Sequence, residues 1–62
     1  MKVKYVDEIL EFDHSMTAKE LLQKLNIWDK GCVVVKNSTI LDDDELIAVN
    51  DEVEIMVLPF GG

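Results

Sequence analysis

Polar and apolar residues alternate along Lys2-Val3-Lys4-Tyr5-Val6, with Val3 and Tyr5 on one face and the lysines on the other. A period of two predicts a strand with one buried face. Asp7-Glu8 breaks the pattern. Ile9-Leu10-Glu11-Phe12-Asp13 then resumes it, with Leu10 and Phe12 sharing a face. Two strands joined by a short polar link predict an antiparallel hairpin, without the favoured Asn-Gly type of turn pair.

After His14-Ser15 the period becomes helical. Thr17-Ala18-Lys19-Glu20 has capping-box spacing. The Thr17 hydroxyl can accept from the Glu20 N–H, and the Glu20 carboxylate can accept from the Thr17 N–H. Met16 and Leu21 stand at the positions of a hydrophobic staple. Ala18, Leu21, Leu22 and Leu25 form one apolar stripe. Asn26 suits a left-handed position after the helix, and Ile27 can supply the closing contact. The predicted helix spans residues 18–25, too short to hold without packing on a sheet.

Residues 28–31 read as a loop. Cys32-Val33-Val34-Val35-Lys36 is a β-branched run and reads as a central strand. Asn37-Ser38 turns the chain into a short return strand, Thr39-Ile40-Leu41. Asp42-Asp43-Asp44-Glu45 repeats the cap-box spacing and predicts another helical turn, with acidic residues suited to a helix N-terminus. Asn50-Asp51 leads into a last strand over residues 52–58. One amphipathic helix across a mixed sheet of four to five strands is a two-layer α+β arrangement. The hairpin, the crossover helix and a final strand returning beside the first give the β-grasp, or ubiquitin-like, topology. Residues 1–58 form the expected domain, with residues 59–62 as a flexible C-terminal tail.

At 62 residues the chain can bury only about 60% of its unfolded surface, so one core must supply the stability. Cys32 is the single cysteine and no Cys/His set can hold a structural metal. Thirteen acidic and six basic residues give a net charge of −7, and every basic residue is a lysine. The basic stripe that a nucleic-acid binder needs is missing, and an anionic membrane would repel the chain. The charge favours basic protein partners and a monomer when free. No signal peptide is read at the start, and no apolar run approaches 18 residues. With one free cysteine, a cytoplasmic location is expected.

The candidate chemistry lies at the end of the sequence, Leu58-Pro59-Phe60-Gly61-Gly62. Gly61-Gly62 has no β-carbons and can lie extended in a narrow slot. It leaves an uncrowded carboxylate on Gly62 that an enzyme can reach. Pro59, with fixed φ and no N–H, ends sheet pairing. If Val53, Ile55 and Val57 face the helix, Met56 and Leu58 face out, Phe60 follows on that line, and Val34 joins from the neighbouring strand. An apolar patch beside the tail is a partner surface. Elsewhere the structural readings are preferred. Cys32 has no basic neighbour to activate it and reads as a buried strand cysteine. His14 reads as a loop histidine. The run Asp42-Asp43-Asp44 lacks the spacing of a calcium loop. Trp28 reads as a lid over one end of the core, and Gly31 stands alone without a phosphate loop.

The chain resembles the ThiS/MoaD family of ubiquitin-like sulfur carriers. The resemblance spans the chain and rests on Thr-Ala-Lys-Glu-Leu-Leu opening the helix, the Val-Val-Val strand, Asn-Asp-Glu-Val-Glu-Ile before and into the last strand, and the closing Gly61-Gly62. Two positions depart from the usual pattern. Asn50-Asp51 stands where Gly-Asp is common, with Asn able to take a positive φ. Bulky Phe60 stands where small residues are common. The resemblance implies a carrier with no catalysis or bound cofactor of its own. A ubiquitin-activating-type enzyme adenylates the Gly62 carboxylate with ATP. A sulfur donor then converts it to a thiocarboxylate, which an acceptor synthase uses in thiamine thiazole synthesis, molybdopterin synthesis or tRNA thiolation. On this reading Gly61, Phe60 and Pro59 are recognised as the tail, and Met56, Leu58 and Val34 dock the partner. The lack of long insertions leans toward the ThiS side. A protein modifier joined through Gly62, and a β-grasp interaction module, are the alternative readings.

Overall fold

The computed structural model describes residues 1–58. In chain order they form β1 (Lys2–Tyr5), β2 (Glu8–Glu11), β3 (Met16–Thr17), α1 (Ala18–Lys24), β4 (Cys32–Lys36), β5 (Thr39–Ile40), β6 (Leu46–Ile47) and β7 (Glu52–Val57). Five strands make one mixed sheet in the order β2-β1-β7-β4-β5. β1 runs antiparallel to β2 and parallel to β7, while β4 runs antiparallel to both β7 and β5. This is the expected α+β, β-grasp arrangement. β7 takes the centre, and β4 lies one place toward the edge.

The helix forms where its end signals place it. Thr17 is the N-cap, accepting from the Glu20 N–H at 3.1 Å while the Glu20 carboxylate accepts from the Thr17 N–H at 2.8 Å. The Ala18 and Lys19 amides donate to the Glu45 and Asp43 carbonyls, both at 3.0 Å. The first turn, which has no intrahelical partners for these amides, is thereby satisfied. At the other end Asn26 has φ 61°. The Ile27 N–H reaches the Leu22 carbonyl at 2.9 Å and the Asn26 N–H reaches the Gln23 carbonyl at 3.0 Å. These paired bonds are a Schellman motif, closed by buried Leu22 and Ile27.

The helix buries Ala18, Leu21 and Leu22 against the inner sheet face. That face supplies Val3, Val34, Val53 and Ile55, and Met1, Met16, Ile27 and Ile47 complete the core. Opposed residues in a sheet share a face, so the registers Val3↔Val53, Val3↔Leu10 and Val34↔Ile55 align this layer. Leu10, Phe12 and Leu41 pack on its rim.

Three local expectations change. Residues 42–45 form a turn rather than a helical turn. The Asp42 N–H donates to the Glu45 carboxylate at 3.1 Å, but the next residues pair with β3 as β6, through Thr17↔Leu46 and Met16↔Ile47. Ile47 thereby reaches the core fully buried. The β1–β2 turn is Val6-Asp7 rather than Asp7-Glu8, because Tyr5 pairs with Glu8. Asn50 is not among the positive-φ residues, so its turn does not need the glycine of the usual Gly-Asp pair.

Asp51 ties that turn together. Its carboxylate accepts from the Ala48 N–H at 2.9 Å and from the Lys36 ammonium at 3.0 Å. Its carbonyl accepts from the Lys2 N–H at 3.0 Å. The start of β7 is thus fixed to both strands that flank it. The Ala48 amide first, then Lys36, holds the Asp51 carboxyl below its ordinary pKa. The Thr17 backbone amide and then its hydroxyl do the same for Glu20.

Thr17→Ala removes one half of the capping box and should cost about 1 kcal/mol, read as a lower urea midpoint at unchanged slope. Asp51 and Glu20 have folded pKa values below their unfolded ones. The stability they contribute is complete above the ordinary carboxylate range and is lost as pH falls through the lowered values. Asp51→Asn should therefore flatten the acid limb of the urea midpoint plotted against pH.

Candidate functional site

One side of the main sheet carries the helix, and the other is uncovered by any described element. Its rows follow from the register. Lys4 lies beside Glu54, Glu54 opposite Val35, and Val35 opposite Ile40. One step toward the C-terminal end of β7, Met56 lies opposite Val33. Together Val33, Val35, Ile40, Met56 and Leu58 line a shallow apolar concavity, with Lys4 and Glu54 at its charged side. Ile40 is 58% exposed and Met56 48%. Contiguous exposed apolar surface with a polar rim marks a contact surface, and the unbranched Met side chain adapts to what it meets.

The structure puts Met56 and Leu58 on this concavity, as expected. Val34 is a correction. It is 1% exposed and opposite buried Ile55, so it belongs to the core, and its neighbours Val33 and Val35 take the outer positions. Val57 is a second correction. Expected beside Val53 and Ile55 under the helix, it is 58% exposed. It sits opposite half-buried Cys32 at the end of the ladder, two residues past buried Ile55.

The last described residue is held from across the sheet. The Leu58 N–H donates to the Gly31 carbonyl at 3.0 Å, one step beyond the Cys32↔Val57 pair. Gly31 has φ 72°, a conformation that a β-carbon would strain. This glycine therefore orients the carbonyl that holds Leu58 just past the end of β7. Gly62, Gly61, Phe60 and Pro59 lie outside the described residues.

The other sequence candidates take structural places. Cys32 packs against the core rim. His14 Nδ1 lies 3.1 Å from the Asp13 carboxylate, and this exposed pair lowers the Asp13 pKa. The acidic run lends its Asp43 carbonyl to the helix N-terminus, where negative charge is also favourable. Trp28 does not lid the core. It is 39% exposed, and the Lys19 ammonium sits 5.3 Å from its ring centroid, a cation–π contact on the surface. Among the described residues, no group of three or more His, Cys, Asp or Glu side chains could hold a metal ion. No described helix is long and apolar enough to cross a membrane.

Residues 2–62 match the family model described as the ThiS family. No match is found among curated proteins or among solved structures.

Val34 and Met56 separate cleanly by stability. Val34→Ala should cost about 1–3 kcal/mol through lost burial and the cavity left behind. Met56→Ala should stay within about 0.5 kcal/mol of the parent. Urea denaturation of both variants measures the difference.

Proposed function

The chain belongs to the ThiS family, small sulfur carriers that act with adenylating and sulfur-transfer enzymes and are not enzymes themselves, and on that premise we propose that its working group is the Gly62 carboxylate. The observation that carries the reading is the extent of the family match, which runs to residue 62 and so includes the Gly61-Gly62 pair. The outer-face concavity next to the exit of β7 supports it, as a surface on which a partner can rest while it holds the tail.

A carboxylate is a poor electrophile. Attack of a Gly62 oxygen on the α-phosphorus of ATP expels pyrophosphate and leaves an acyl-adenylate. A persulfide donor's terminal sulfur attacks the acyl carbon, and AMP departs. Thiol reduction of the resulting S–S bond releases the thiocarboxylate, a good nucleophile for transfer to an acceptor. The catalytic groups and ATP belong to the partner enzymes, and the carrier contributes its tail and its docking face. Gly61 and Gly62 keep the slot narrow, Pro59 and Phe60 set the approach, and Met56 and Leu58 rest on the partner with Val33 in the place first assigned to Val34. A cytoplasmic setting suits the free thiol of Cys32.

Incubation with ATP, a sulfur donor and the adenylating enzyme should add an oxygen-to-sulfur mass difference at Gly62, localised by fragment mass spectrometry and reactive to alkylation. Deleting Gly62 should abolish it without lowering the urea midpoint. Full activity after the deletion would overturn the reading. Met56→Glu should raise KM for the carrier by about fivefold or more, as expected for loss of a central apolar contact.

A further inference from the structure

Val6 opens the two-residue turn between β1 and β2 with φ 59°, and it is 71% exposed. For a β-branched residue the left-handed region is a true outlier, because the β-carbon crowds the following carbonyl. Only the first central residue of this turn has positive φ, the arrangement for which Gly is preferred. The Asn37-Ser38 turn, with φ 52° and 65°, opens on Asn, a residue that tolerates this region. The fold thus has no internal use for valine at position 6. The residue is strained, apolar and left in water.

Its place in the sheet says what meets it. β1 and β7 are parallel, and their last pair is Tyr5↔Ile55. Val6 follows that pair directly, so the hairpin tip stands at the same end of the sheet from which β7 leaves. From Leu58 to Gly62 there are four residues, spanning at most about 14 Å when fully extended. An enzyme that encloses the Gly62 carboxylate must therefore bear on this end of the sheet. We infer that Val6 is a specificity-determining contact for the adenylating enzyme, seated in an apolar notch of that enzyme while the tail occupies its active site. This inference rests on the carrier reading above.

The test is ATP–pyrophosphate exchange by the adenylating enzyme purified from the chain's own source, run with the intact carrier, Val6→Gly, Val6→Asn, Val6→Ile and the Gly62 deletion. Gly and Asn accept the turn, so both variants should keep a urea midpoint at or above the parent's. Both should nevertheless raise KM for the carrier at least about fivefold, while Val6→Ile keeps the parent value. A KM unchanged in both Val6→Gly and Val6→Asn, with exchange still lost on deleting Gly62, overturns the inference alone. Exchange that persists without Gly62 overturns the carrier reading and the inference together.

Discussion

A helix of seven residues does not hold itself in water, and a sheet with its inner face open is no better off. Each exists here because the other covers it. Leu21 from the helix and Val3 and Val34 from the sheet, all with almost no exposed surface, share the core between the two layers. The remaining devices set the angle and length of that contact. The capping box and the Asp43 and Glu45 carbonyls fix where the helix starts, and the Schellman motif fixes where it stops. The two-residue strands β3 and β6 bring the 42–45 turn up to the helix N-terminus and deliver Ile47 into the core.

The parts of this fold that were legible in the sequence are those with local causes. Thr17, Glu20 and Asn26 act within a few residues of themselves, so their spacing is enough. The first hairpin and the last strand show their period of two. What was not legible depends on distant partners. Asp42 and Glu45 have the same spacing as Thr17 and Glu20, yet no helix follows, because Leu46 and Ile47 pair across the chain with β3. Val33-Val34-Val35 carries no alternation, so nothing local says which valine faces inward. Only the pairing of Val34 with Ile55 decides it. That one step of register moved Val34 from the candidate surface into the core and put Val33 beside Met56. Asp51, whose hydrogen bonds fix the start of β7, looked like an ordinary turn residue for the same reason.

The two faces of the sheet differ in what covers them. The inner face secures the fold and is closed to partners. The outer face stays open, with Ile40 and Met56 exposed. A family of carriers that do no chemistry themselves can be tuned on this second face, and at the turn beside it, without disturbing the core.

The uncovered apolar face also bears on how the chain behaves in crowded solution. An open sheet with Ile9, Ile40 and Met56 exposed is a surface on which copies could stack. β5, an outer strand, is only two residues long, and β2, on the other side, is bracketed by Glu8 and Glu11. Short or charged edges resist strand-to-strand growth, and a net charge of −7 keeps like chains apart at neutral pH. Acid that brings the chain to its pI of about 4.3 removes the net charge and leaves the open face untouched. The apolar face left open by the fold therefore sets the colloidal limit near that pH.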